Sequence, residues 1–210
     1  MTEALYMALE GYDLAAIDEA AMNIGFPVGP ITLMDEVGID VGAKVIKVMK
    51  QYYAGRMEFP PVDVIPEFLA EKRLGRKSGK GFYLYEKGES KLVDGNKVVD
   101  PAVYRYLPKG LPTMPTDLES MGQRLILSLV NEAVWCLHDG TLREPMAGDL
   151  GAVMGIGFPP FEGGPFHYCD RLGADTVVSR MQALATACGH RFDPCPLLLQ
   201  HAEAQKPFYE

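Results

Sequence analysis

The sequence predicts an all-α chain, a tandem repeat of one helical unit whose first copy also carries a small extended or hairpin arm. Three observations carry this prediction. Residues 22–40, MNIGFPVGPITLMDEVGID, are echoed by residues 154–175, MGIGFPPFEGGPFHYCDRLGAD. Met22, Gly25-Phe26-Pro27, Gly29-Pro30, Asp35, Gly38 and Asp40 match Met154, Gly157-Phe158-Pro159, Gly164-Pro165, Asp170, Gly173 and Asp175. A shorter echo lies upstream, Glu3-Ala4 before Gly11 and Glu132-Ala133 before Gly140. Chance does not readily repeat so many Gly, Pro and Asp residues in one order. Second, the segments around these loops space their apolar residues three and four apart, a helical period. Third, strand-like runs are confined to residues 82–99. The copies are expected to span residues 1–107, including the arm, and 108–210.

The elements follow in order. Residues 3–10 predict a helix that stops at Gly11. Asp13 is a good N-cap for the next, because its carboxylate can accept the unpaired amides of a first turn. Leu14, Ile17, Ala21 and Ile24 share a face of that helix, and Gly25 can end it in the left-handed conformation. Pro27 and Pro30 bracket a tight loop before a short helix over about 31–37. Gly38 breaks it. Asp40 is expected to cap a helix with an apolar stripe at Val41, Val45, Val48 and Tyr52, running to Gly55. After the prolines that follow, Pro66 is expected to start a helix beyond the Asp63–Ile65 turn.

GRKSGKG, residues 75–81, cannot be a regular element. Phe82-Tyr83-Leu84-Tyr85, Leu92-Val93 and Val98-Val99, with Asp94-Gly95-Asn96 between the last two, predict a hairpin or extended arm. Residues 100–115 hold four prolines and read as the linker between copies. Thr116 and Glu119 then form an expected capping box. The helix behind it, through Leu125, Leu129, Val130, Val134 and Leu137, is apolar around most of its circumference and so belongs in a core. A helix around 148–155, a second GFP loop, a helix through Val177, Val178, Met181 and Leu184, and a last helix in PLLLQHAEA repeat the plan of the first copy. The second copy is expected to lack most of what the first carries over residues 56–99.

Composition excludes several classes. A net charge of −8 argues against a nucleic-acid footprint. No apolar run approaches the roughly 18 residues that a membrane-spanning helix needs. The N-terminus has no secretory signal pattern. Cys136, Cys169, Cys188 and Cys195 have no CxxC spacing and read as reduced cytoplasmic thiols. The four histidines form no HExxH-type pair, so no metal site is expected.

Candidate sites are few. The two GFP loops could cradle a ligand; alternatively Gly25 and Gly157 supply positive φ while Phe26 and Phe158 plug the core. Neither loop is a dinucleotide fingerprint, since GIGFPP lacks the third glycine and no strand precedes it. Lys72, Arg73, Arg76, Lys77 and Lys80 form the one dense cationic cluster. It is not a phosphate-binding P-loop: only three residues separate Gly75 from Gly79-Lys80, and Gly81 stands where Ser or Thr belongs. It can still meet phosphates by plain Coulomb attraction, or serve as a solvated or intersubunit patch. Asp35 and Asp170, just after the loops, are expected to tie backbone amides or an arginine. Asn131 and Glu132, inside an apolar helix, must hydrogen-bond to a neighbouring loop. No complete catalytic constellation is present.

GFPVGPITLMDEVGID, then GRKSGKGFYLYE, then GIGFPPFEGGPFHYCDRLGAD resemble the C-terminal part of the alpha subunit of the bacterial fatty acid oxidation complex, above all its FadJ-type branch. The resemblance covers essentially the whole chain. It implies two tandem C-terminal helical domains of a 3-hydroxyacyl-CoA dehydrogenase. In that family a Rossmann domain binds NAD and holds the catalytic His-Glu pair, and an assisting Asn opens the first helical domain. This sequence contains none of those segments, nor a hydratase domain. It therefore resembles a fragment of a longer chain, expected to be inactive alone and to bind no NAD itself. The resemblance further implies an acyl-CoA substrate, a thiolase beta subunit as partner, a cytoplasmic location and an internal pseudo-dimer of the two copies. Some relatives place a substrate-contacting Tyr where Met154 stands here; its repeat-mate is Met22. A thioether can line an acyl channel but cannot donate a phenol's hydrogen bond. Met22, Phe26, Met154, Arg76, Lys77 and Lys80 are the substrate-side candidates, and no residue is assigned as catalytic.

Overall fold

The computed structural model describes residues 1–53, 57–60 and 64–209. Their fold is helical with two short hairpins, as the repeat predicted. The chain divides into two compact units, Met1–Asn23 with Val28–Met121, and Ile24–Pro27 with Gly122–Glu210.

In the first unit, α1 (Thr2–Glu10) ends at Gly11, whose φ of 99° closes the turn onto the Ala8 and Met7 carbonyls. The Asp13 carboxylate caps α2 (Leu14–Asn23), accepting the Ala16 amide at 2.9 Å. Pro30 opens α3 (Pro30–Val37), where the missing amide costs nothing, and Gly38 separates it from α4 (Ile39–Tyr53). Asp40 is not the cap of α4. It lies inside the first turn and binds Lys77. The expected stripe of α4 exists but does not face the core: Val41, Val45, Val48 and Tyr52 are exposed. Gly55 and Asp63, named in the expected helix end and turn, lie outside the described residues. Pro66 sits in the first turn of α5 (Ile65–Ala70), as predicted.

The arm follows. A 3-10 turn at Arg76–Ser78 leads to two hairpins, β1 (Tyr85–Glu86) with β2 (Glu89–Ser90) and β3 (Leu92–Val93) with β4 (Asn96–Lys97). Asp94-Gly95 turns the second hairpin with positive φ at both residues, the geometry that matches strand twist. Residues 100–115 are not merely a linker. Pro101–Tyr106 forms a 3-10 turn that buries Val103, and the Gly11 carbonyl accepts the amides of Thr113 and Met114. Arg73, itself buried, ties this segment down through Asp100 at 2.7 Å and the Gly81 carbonyl at 3.2 Å. The core of the unit joins Met7, Leu14, Ile17, Ile31, Phe68, Phe82 and Val103, all fully buried.

The division falls inside α6 (Leu118–His138). Asp117 caps this helix, accepting the Ser120 amide at 3.2 Å, so the expected start at Thr116 is one residue early. The second unit continues with α7 (Pro145–Ile156), α8 (Pro165–Leu172), α9 (Ala174–Cys188) and α10 (Pro196–Ala204). Leu127, Val130 and Val134 of α6 pack with Phe158, Phe166, Val177, Met181 and Leu198. Asn131 joins the Asp193–Cys195 loop, donating to the Asp193 carbonyl and accepting the Cys195 amide, both at 2.9 Å. Gly25 and Gly157 have positive φ, and Phe158 is buried. Phe26 is half-buried against this same core, edge-on to Phe158 with centroids 6.0 Å apart, and belongs to the second unit. Among the described residues no helix is long and apolar enough to cross a membrane.

Candidate functional site

Each unit is closed by two buried or half-buried aspartates that draw distant segments together. In the first, Asp18 on α2 accepts the Ile31 amide at 2.7 Å, the Thr32 amide at 2.9 Å and the Thr32 hydroxyl at 2.6 Å, capping α3 from outside. The Tyr83 hydroxyl donates to the same carboxylate at 2.9 Å. Asp35 on α3 accepts the Phe82 amide at 2.9 Å, the Tyr83 amide at 2.8 Å and the Tyr85 hydroxyl at 3.1 Å. Two glycines allow these approaches. A Cβ on Gly29 would lie 2.2 Å from Asp18 Cγ, and one on Gly81 would lie 2.0 Å from Asp35 Oδ1.

The second unit repeats the clasp with different side chains. Asp149 on α7 accepts the amides of Phe166 at 2.7 Å and His167 at 3.3 Å, and the Tyr209 hydroxyl at 2.7 Å. His167 Nδ1 lies 2.6 Å from Asp149 Oδ2, in the place of the Thr32 hydroxyl. Asp170 on α8 accepts the Phe208 and Tyr209 amides at 2.8 and 2.9 Å. Phe208 and Tyr209 thus repeat Phe82 and Tyr83. The second copy has not lost the arm entirely: it keeps the end that engages the aspartates, as Lys206-Pro207-Phe208-Tyr209. Sequence reading identified Asp35 and Asp170 and their amide-binding role but missed Asp18 and Asp149. The available signal was their shared place on the helix leading into each GFP loop.

These carboxylates are saturated with donors and hold the fold. Burial pushes Asp35 up from 3.8 to about 6, against the pull of the Tyr83 and Phe82 amides and the Tyr85 hydroxyl. Burial also raises Asp18, and it raises Tyr83 and Tyr85, whose facing carboxylates add to the effect. The unfolded chain therefore releases the Asp35 proton before the folded chain does. Its contribution to stability is greatest below the unfolded pKa and falls by about 3 kcal/mol as pH rises to about 6. A carbon-13 titration of the Asp35 carboxyl should show a midpoint near 6; a midpoint below 4 would refute this.

Of the six substrate-side candidates, Met22, Arg76, Lys77 and Lys80 belong to the first unit and Phe26 and Met154 to the second. Met22 and Met154 are exposed. Arg76 is exposed and bound to Glu36 at 2.9 Å, and that pairing raises its pKa. Lys77 holds Asp40 and depresses its carboxyl. Lys80 is half-buried, its carbonyl accepting the Gly75 amide at 3.0 Å. Two members of the cationic cluster thus have acidic partners on α3 and α4, and buried Arg73 is paired with Asp100. Among the described residues no group of three or more His, Cys, Asp or Glu could hold a metal ion.

Comparison with known proteins accounts for the duplicated clasp. The profile of the 3-hydroxyacyl-CoA dehydrogenase C-terminal domain matches residues 1–85 and again residues 121–208. The chain belongs to this family, as two tandem copies of its C-terminal domain. It is 45% identical over all 210 residues to a fatty acid oxidation complex subunit alpha of Shewanella sp. strain ANA-3, covering 29% of that protein. It is 43% identical, with the same coverage, to the subunit alpha of Shewanella baltica strain OS185. The chain therefore spans less than a third of the length of these relatives. In fold it is similar to 3-hydroxybutyryl-CoA dehydrogenase from Escherichia coli K12, with a TM-score of 0.75 at 21% identity over 97% of this chain and 57% of that one. It is also similar to the dehydrogenase part of multifunctional enzyme 1 from C. elegans, with a TM-score of 0.64 at 21% identity over 94% of this chain and 44% of that one.

Proposed function

We propose that this chain is the substrate-side and packing portion of an NAD-dependent L-3-hydroxyacyl-CoA dehydrogenase of fatty acid β-oxidation. The longer protein would oxidise 3-hydroxyacyl-CoA to 3-ketoacyl-CoA, the carbinol hydride going to NAD and the hydroxyl proton to a base. The observation that carries this reading is the match of the whole chain to alpha subunits of the fatty acid oxidation complex. NAD and the base would be held by segments outside these residues, and the cytoplasm is the proposed compartment. The copies 1–107 and 108–210 would act as an internal pair, held at high effective concentration by being in one chain. Met22, Phe26 and Met154 supply apolar surface suited to an acyl chain, and Arg76, Lys77 and Lys80 supply cations suited to a phosphate-bearing thioester.

A second reading is an association module of the multienzyme complex, binding a thiolase beta subunit and no ligand of its own. It is favoured by Arg76 and Lys77, whose charge is already engaged by Glu36 and Asp40. Grafting separates the two. The 210 residues should replace the matching stretch of the Shewanella ANA-3 subunit and sustain NADH production from 3-hydroxybutyryl-CoA within about tenfold of the parent, a change of about 1.4 kcal/mol. The chain alone should produce none. A folded graft that assembles but gives no NADH contradicts the dehydrogenase reading and favours association.

A further inference from the structure

The first unit contains an apolar cavity of about 230 Å³ between α1, the end of α3 and the inner face of α4. Met34, Val37, Gly42, Ile46, Met49 and Phe59 contribute to its wall. An apolar cavity of ~150 Å³ already admits benzene, so this one has room for a hydrocarbon chain. The cavity lining includes several thioethers, which adapt to guests of different shape. A smaller neighbouring cavity shares Ile46 and Phe59 and has Lys50 in its wall, with the ammonium 5.7 Å from the Phe59 ring centroid.

The repeat provides an internal control. Aligning Asp40 with Asp175 places Gly42, Ala43 and Ile46 of α4 opposite Val177, Val178 and Met181 of α9. Those three α9 side chains are buried, and α10 packs on α9. Gly42 is the informative difference. It is a poor residue for a helix interior, it has no positive φ to accommodate, and a Cβ there would meet nothing within 4 Å. Neither backbone geometry nor close packing accounts for it. What this glycine provides is volume.

We propose that the cavity seats the aliphatic tail of an acyl thioester, that Gly42 sets the tail length it accepts, and that Lys50 meets the anionic head. The proposal rests on the dehydrogenase reading above and moves the tail from Met22, Phe26 and Met154 to this cavity, and the anionic head from Arg76, Lys77 and Lys80 to Lys50. A carboxylate or the phosphates of CoA would satisfy the lysine, so free fatty acid and acyl-CoA share the required chemistry.

Calorimetric titration of the 210-residue chain with CoA, hexanoyl-, octanoyl- and decanoyl-CoA, and decanoate, all below their micelle concentrations, tests it. Affinity for the thioesters should rise about fourfold per added methylene until the cavity is filled. Gly42→Val, which installs the α9 residue, should abolish that dependence while its thermal midpoint stays at or above that of the parent. Lys50→Met should weaken decanoyl-CoA binding several-fold without changing the chain-length dependence. Affinity that ignores tail length, or Gly42→Val binding decanoyl-CoA as the parent does, overturns the site. Decanoate binding without decanoyl-CoA binding overturns the thioester assignment. The graft with its short substrate does not need this cavity. An active graft with no tail dependence sinks only the tail site, and an inactive graft with tail binding intact sinks only the dehydrogenase reading.

Discussion

Replacing Asp35 with alanine should cost the first unit about 3–6 kcal/mol, because each buried donor left without its acceptor costs roughly 1–3 kcal/mol. Three donors lose their partner at once: the Phe82 and Tyr83 amides and the Tyr85 hydroxyl. Asp35 is 1% exposed, so water cannot replace the carboxylate without opening the clasp. A loss of this size is comparable to the whole stability of a small domain. Gly81→Ala should act in the same direction by a different route, since its Cβ would collide with Asp35 Oδ1 and expel the arm while leaving the carboxylate intact. Guanidinium unfolding followed by circular dichroism at pH 7 checks both. A midpoint shift corresponding to less than about 1 kcal/mol for Asp35→Ala would show that the arm is held mainly by Phe68 and Phe82, whose rings lie 4.9 Å apart.

Much of this architecture was legible in the sequence because it was written twice. The GFP loops, the helices on either side and the amide-binding role of Asp35 and Asp170 follow from local chemistry that a repeat makes visible. Asp117 displaced Thr116 as the cap of α6 because both can cap and only the position of the first turn decides. The stripe of α4 was legible as a periodicity, but spacing identifies a face without saying what covers it, and these side chains are exposed. Asp18 and Asp149 were harder to find. Their meaning lies in tyrosine hydroxyls from Tyr83 and Tyr209, far along the chain. The tail was missed because proline stands at 207 where the first copy has Gly81. The candidate site was the least legible part. A cavity lined in part by Gly42 leaves no mark on helical periodicity, and Arg76, Lys77 and Arg73 gave no sign in sequence of the acids that engage them.

Ending the chain after Lys206 should destabilise the second unit by about 3–6 kcal/mol, the cost expected for losing a packed aromatic together with buried hydrogen bonds. Phe208 packs edge-on to Phe166 with centroids 5.1 Å apart and stacks on His201 at 4.0 Å. Tyr209 lies against His167 at 4.1 Å and donates its hydroxyl to Asp149, a carboxylate only 4% exposed. Truncation removes all of these contacts and leaves Asp149 and Asp170 facing fewer donors. The claim beneath this expectation is that one clasp closes both copies, by an internal arm in the first and by the last described residues in the second. Amide hydrogen exchange on the intact chain tests it most directly, because terminal residues ordinarily fray and exchange freely. The account predicts that Phe208 and Tyr209 exchange as slowly as Phe82 and Tyr83, each pair being held by a carboxylate. Fast exchange at Phe208 and Tyr209, with Phe82 and Tyr83 still protected, would contradict it.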